Sequence, residues 1–201
     1  MLVAIDGPAG AGKSTVARAA AQALGFTYLD TGAMYRAVAL ASLRGLDEVG
    51  ALDIQLDGDL VLLNGEDVTA LIRTPAVSQQ ASVVASDPGV REALIAQQRT
   101  IIAGGDYVAE GRDIATVVAP DAEVKVYLTA HPAERARRRA AELGLDPEDV
   151  AADLLSRDER DNSHGRSTLE PAPGAVPLDT TGMSVDAVVE EIVARVGAVQ
   201  A

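Results

Sequence analysis

Residues Ala4–Thr15 read AIDGPAGAGKST, and within them Gly7-x-x-x-x-Gly12-Lys13-Ser14 has the spacing of a loop that cradles phosphate. Glycines let successive backbone N–H groups turn inward around an anion, and the helix that follows presents its positive dipole end to it. Lys13 is long enough to reach the outer phosphates, and the Ser14 hydroxyl can ligand magnesium. Gly7, Pro8, Ala9, Gly10, Ala11, Gly12, Lys13, Ser14 and Thr15 are therefore the candidate phosphate-binding residues, with Ser14 as the metal ligand. The alternative is an ordinary glycine-rich turn. The lysine, the serine, the apolar run Leu2–Ile5 before the loop and the helix-period segment Ser14–Leu24 after it all argue against that.

Four further groups carry polar chemistry. Asp30-Thr31-Gly32-Ala33-Met34-Tyr35-Arg36 puts a carboxylate and a cap at a strand end and an arginine one helical turn on. Arg36 there suits an acceptor phosphate and Asp30 a magnesium shell; a capped helix with a surface arginine is the plainer reading. Glu110-Gly111-Arg112-Asp113 follows an apolar strand, at the edge where open α/β sheets bind ligands. Arg112 offers a bidentate fork to phosphate, and Asp113 can accept from a base or position a metal-bound water. Arg135, Arg138 and Arg139 fall at i, i+3 and i+4, so three guanidiniums share a helix face that an incoming phosphoryl group would neutralise. Pairing with Glu134 and Glu142 on a solvated helix is the competing account. Arg157 and Asp161, again at i, i+4, could hold a sugar and phosphate or form a surface salt bridge.

The elements that must position these groups alternate. Strand-like runs at Leu2–Ile5, Thr27–Leu29, Tyr107–Ala109, Val124–Leu128 and Val176–Leu178 are interleaved with helical patterns, which implies an α/β fold with a parallel five-stranded sheet flanked by helices. Residues Leu52–Val68 break the alternation; the turn signals Asp57-Gly58 and Asn64-Gly65 imply a small antiparallel meander. The chain then divides into core 1–53, insert 54–103, core 104–130, paired helices 131–162 and core 163–201, the last closed by a helix capped at Ser184.

Composition narrows the class. The 201 residues suit one domain with small subdomains, and with 48% hydrophobic but 2% aromatic residues the core must be Leu, Val, Ile and Ala. A net charge of −13 argues against nucleic acid or an anionic membrane as partner. Fifteen arginines against two lysines favour bidentate phosphate contacts. The absence of cysteine excludes disulfides and thiolate chemistry. No apolar run approaches twenty residues and no basic leader precedes the first strand, so the expectation is a cytoplasmic protein.

Taken together, IDGPAGAGKST, LDTGAMYRAVAL, ASDPGVREAL, EGRDIATVV, DAEVKVYLTA-x-x-x-ERARRR and SRDERD resemble the bacterial cytidylate kinase family from residue 2 to about 195. The resemblance implies a nucleoside monophosphate kinase fold with an NMP-binding insert and a short helical lid. It implies transfer of the ATP γ-phosphoryl to CMP or dCMP with Mg²⁺, by a monomer. By the same resemblance Gly7–Thr15 hold the ATP phosphates, Arg36 and Arg112 grip the acceptor phosphate near Asp30 and Thr31, and Ser82, Arg91 and Asp113 face cytosine. Arg157 and Asp161 take the sugar and phosphate side, while Arg135 and Arg139 close over the transferring group beside Lys13.

The chain departs from the family pattern in the long loop. An arginine is usual where His164 stands, so either Arg166 reaches in or His164 makes a weaker, pH-sensitive contact. Ser167-Thr168-Leu169 and Gly174 also differ from the usual residues. Rival readings are a kinase for another small acceptor such as shikimate, a GTPase switch, and a nucleotide-binding regulatory module. Asp179-Thr-Thr-Gly182 matches a switch motif only by chance position, and no Asn-Lys-x-Asp guanine reader is present.

Overall fold

A computed structural model describes residues 1–46, 48–163 and 170–200, with the backbone alone at 157 and 160–163. β1 (Leu2–Asp6) runs through the phosphate loop into α1 (Lys13–Leu24), which ends at Gly25 in the left-handed region at φ 69°. β2 (Thr27–Asp30) leads into α2 (Thr31–Leu43), capped by the Asp30 side chain through Ala33 N–H. β3 (Ile54–Asp57), β4 (Leu60–Leu63) and β5 (Glu66–Asp67) form the antiparallel meander. Asn64 and Gly65 have φ of 51° and 81°, the doubly positive pair that a tight hairpin turn demands. α3 (Pro75–Val84) and α4 (Pro88–Ile102) each open on a proline behind a side-chain cap, Thr74 and Asp87 respectively.

β6 (Tyr107–Gly111), β7 (Val124–Thr129), α5 (Pro132–Leu143), α6 (Pro147–Ser163), β8 (Val176–Asp179) and α7 (Val185–Gln200) complete the chain. α7 begins behind Ser184, whose Oγ accepts from Ala187 N–H at 3.2 Å. Among the described residues no helix is long and apolar enough to cross a membrane.

Contacts divide the chain into two units, Met1–Tyr28 with Gly105–Ala201, and Leu29–Gly104. The main sheet has strand order β2-β6-β1-β7-β8, with β1 parallel to both β6 and β7 and β7 parallel to β8. Val3, Ile5, Val108, Val124, Val126 and Leu128 present one face of this sheet to Val16, Ala17 and Ala20 of α1 and to Val188, Ile192 and Val196 of α7. β1 is central, and the chain steps first to one side of it and then to the other. Its carboxyl end is therefore the switch point at which open α/β sheets place their ligands.

In the other unit, Met34, Ala37 and Val38 of α2 bury with Ile54, Val61 and Leu63 of the meander and with Val77 and Leu94 of α3 and α4. That apolar contact draws α2 into the unit. The unit accordingly starts at Leu29, upstream of the insert boundary at 54 that strand alternation suggests.

Candidate active site

β1 delivers Asp6 and then the loop. Gly7 has φ 150°, and a Cβ there would lie 2.0 Å from the Leu128 carbonyl oxygen, so the strand-to-loop exit has no room for a side chain. At Gly10, φ 74°, a Cβ would lie 2.8 Å from the Arg135 carbonyl oxygen, so the loop also packs against the backbone of α5. No side chain caps α1, whose first N–H groups stay available to an anion.

The loop's carbonyls are held by cations. Arg112 Nη1 donates to Gly7 O at 2.6 Å, buried Lys13 Nζ to Pro8 O at 2.9 Å, and Arg135 Nη1 to Ala9 O at 3.0 Å. The Thr180 hydroxyl proton is shared between Thr129 O at 3.0 Å and Ala11 O at 3.3 Å, and Arg138 Nη1 approaches Ala11 O at 3.4 Å. A planar peptide carries its C=O and the next N–H on opposite sides, so fixing Ala9 O and Ala11 O also fixes where Gly10 and Gly12 N–H point. The collar thus preorganises the amides for phosphate and adds positive potential around them.

Carboxylates form the other half of the site. Ser14 Oγ donates to Glu110 Oε1 at 2.5 Å, and Tyr28 OH donates to the same oxygen at 3.2 Å. A serine hydroxyl beside a buried carboxylate is an all-oxygen donor set, which suits a hard cation such as Mg²⁺. Asp6 accepts Ile114 N–H at 2.9 Å and Ala115 N–H at 2.8 Å, fixing the turn that carries buried Asp113. This turn continues as a wide π-type turn over Ile114–Val118, with Ala119 N–H bonded to Ile114 O at 2.7 Å. Burial pushes the Asp6 carboxyl up to about 6; the two amides and Lys13 pull it down, and Asp113 pushes it further up. Burial likewise raises the Tyr127 phenol to about 12.

On the arginine face of α5 the pairing with Glu134 and Glu142 that helix spacing allows is formed by Arg138 and Arg139, whereas Arg135 turns to another helix. Arg135 is buried and paired with Asp158 at 2.6 Å. Arg138 is engaged by Glu134 through Nε and by Thr180 through both terminal nitrogens. Arg137 and Arg138 together hold the Glu134 carboxyl down to about 2. Arg139 pairs with exposed Glu142 at 2.9 Å. Each guanidinium has found a local or tertiary partner because helix spacing puts carboxylates within reach and the loop supplies carbonyls.

The structure thus gathers Gly7–Thr15, Arg112, Arg135 and Arg138 through direct bonds around the loop, while Arg139 is turned to Glu142. In the Leu29–Gly104 unit, Asp30 Oδ1 caps Ala33 N–H and Oδ2 pairs with Arg36 at 2.8 Å. Ser14 donates to the Glu110 carboxylate, and Asp30, which the sequence suggests for the magnesium shell, caps α2 and pairs with Arg36. A Cβ at Gly32 would lie 3.1 Å from Arg36 Nη1 and 3.2 Å from Asp30 Oδ1, so the glycine leaves room for that pair. Thr31 and Ser82 are buried on α2 and α3, and Arg91 is half-buried on α4. The side chains of Arg157 and Asp161, and all of His164, Arg166 and Ser167-Thr168-Leu169, lie outside the described residues.

Asp6, Asp158 and Thr180 are the contributors that spacing did not single out, and Glu110 stood in a candidate group without a role of its own. Asp6 was signalled by a lone carboxylate ending an apolar strand just before the loop. Thr180 sits in the Asp-Thr-Thr-Gly stretch whose switch resemblance is accidental, yet whose buried hydroxyl braces the loop.

A phosphate loop on the central strand of a parallel sheet, with a lysine, a hydroxyl–carboxylate pair and a collar of arginines, defines a phosphate-loop kinase fold. Solved structures agree at the level of fold: a gluconokinase from Sinorhizobium meliloti superposes with a TM-score of 0.56 at 17% identity, covering 98% of this chain and 91% of that one. The family model for cytidylate kinase matches residues 3–198, and the chain belongs to that family. The cytidylate kinase of Pelotomaculum thermopropionicum is 50% identical, covering 98% of this chain and 96% of that protein. That of Carboxydothermus hydrogenoformans is 49% identical, covering 98% and 97%.

Proposed function

We propose that this chain transfers the γ-phosphoryl group of ATP to CMP or dCMP, producing CDP or dCDP and ADP. The observation that carries the reading is the phosphate loop with its carbonyls pinned by Arg112, Lys13, Arg135 and Arg138, in a chain whose family match is nearly end to end.

The acceptor is already an anionic phosphate, so the protein needs no strong general base. Its work is alignment and neutralisation of charge. Gly7–Thr15 hold the donor phosphates, with Lys13 leaving Pro8 O for the outer phosphates. Ser14 and Glu110 would hold Mg²⁺, which would supply neutralisation of charge on the phosphate oxygens. Arg36 and Arg112 grip the acceptor phosphate, with Asp30 orienting Arg36 and Thr31 beside it.

Cytosine presents an N4 donor and an N3 acceptor where uracil presents O4 and N3–H. Acceptors at Asp113 and Ser82 with a donor at Arg91 match cytosine, and they leave buried groups unpaired against uracil. Arg157 and Asp161 hold the sugar and phosphate side. Arg139 has an exposed ion pair that costs little to break, so it is the arginine that moves onto the transferring group.

The test follows products. With ATP, Mg²⁺ and CMP, the protein should release CDP and ADP in equal amounts, and Lys13→Ala should nearly abolish both while remaining folded. ADP without CDP would contradict the assignment.

A further inference from the structure

We propose that Asp158 is a positioning residue for phosphoryl transfer, holding the Arg135 guanidinium against the phosphate loop. The proposal rests on the kinase reading above and deepens it. Arg135 Nη1 is shared between Asp158 Oδ2 at 2.6 Å and Ala9 O at 3.0 Å, so one nitrogen joins α6, α5 and the loop. Both side chains are buried. The α5 backbone at Arg135 packs closely on Gly10, and the hydrogen bonds to Asp158 and Ala9 O set the orientation of the guanidinium.

Stability alone does not account for this pair. It lies beside an apolar patch of Ala9, Ala136, Ala140, Val150 and Leu154, where aliphatic side chains could fill its place. A buried ion pair of this kind is often neutral or costly compared with well-packed apolar residues. Among the described residues, Arg135 Nε and Asp158 Oδ1 are buried without a hydrogen-bond partner. Two unsatisfied polar atoms are an expense that packing does not require. They do serve a site in which Nη1 anchors the group and Nε, a fixed donor, waits for a phosphate oxygen. Asp158 also stands next to Arg157 on α6, so the helix assigned to the acceptor is tied to the donor loop through one carboxylate.

The experiment compares wild type, Asp158→Asn, Arg135→Ala and the double variant in CDP formation from ATP, Mg²⁺ and CMP. Asp158→Asn is expected to lower kcat tenfold or more with KM for CMP within about twofold of wild type. The double variant should be no slower than Arg135→Ala, because Asp158 acts through that arginine. Turnover of Asp158→Asn within twofold of wild type, or losses that multiply in the double variant, would overturn the proposal.

Should Asp158→Asn not fold, the exchanged pair Arg135→Asp/Asp158→Arg decides. It keeps the ion pair but takes the guanidinium off α5. Full turnover in this folded variant would overturn the proposal, because it shows a structural pair only. Wild type that makes no CDP would remove the kinase reading itself, and this proposal with it.

Discussion

Asp6 shows how a single residue can be held at a cost to stability. Its carboxylate is nearly removed from water, and its titration is displaced from 3.8 to about 6. Two amide hydrogen bonds offset burial only in part. Because the folded value lies above the unfolded one, the neutral form is favoured in the fold. The stabilisation is therefore full below about pH 4 and is lost as pH rises through about 6. The displacement corresponds to ~3 kcal/mol between those limits. Denaturant unfolding from pH 4 to 7 should show wild type losing stability relative to Asp6→Asn across that window; parallel curves would refute the assignment. The charge that makes Asp6 expensive is also what lets its two oxygens hold Ile114 and Ala115 N–H and so fix Asp113. At the same scale, Ser14→Ala should weaken Mg²⁺ binding, visible as a higher Mg²⁺ concentration at half-maximal rate, with little change in melting temperature.

At the scale of elements, the loop and the helix α5 divide the work between rigid and movable parts. Gly7→Ala would drive a Cβ into the Leu128 backbone and should destabilise the fold by about 3 kcal/mol or more, measurable by chemical denaturation. Arg139→Ala removes only an exposed ion pair from the fold. It should leave the melting temperature unchanged while lowering kcat by about 10²–10³. Unaltered turnover would take the mobile-arginine role away from it.

Elements were the most legible part of the sequence. Period and punctuation marked each strand of the main sheet, the Asn64-Gly65 hairpin and the paired helices within 131–162, because those signals are local. Glu134 and Glu142 were legible as partners for Arg138 and Arg139, but the partner of Arg135 was not. Spacing places Arg135, Arg138 and Arg139 on one side, but only the folded chain shows that Arg135 turns inward to Ala9 and Asp158 while Arg139 stays with Glu142. The π-type turn after Asp113 was hidden for the same reason, since Asp6 enforces it from more than a hundred residues away.

For the whole molecule, the residues assigned to donor and acceptor fall largely into different units. The unit with Met1–Tyr28 and Gly105–Ala201 carries the phosphate loop, and the unit Leu29–Gly104 carries Arg36, Ser82 and Arg91. Sequence alternation marked the meander as an insert but not that α2 packs with it, because burial of Met34 and Val38 is a tertiary event. Ligand-linked stability should follow the assignment: ATP with Mg²⁺ at 100 times its Kd should add ~2.7 kcal/mol of stability. CMP should slow hydrogen exchange over Val77–Leu94, and no added protection there would count against the base-reading role of that unit. The most direct measurement is ADP release with ATP and Mg²⁺ against CMP, dCMP, UMP, AMP, GMP and shikimate in parallel. Fast release with CMP and dCMP and little with the others is the predicted result. Preference for another acceptor, or silence from protein that binds ATP, would contradict the account.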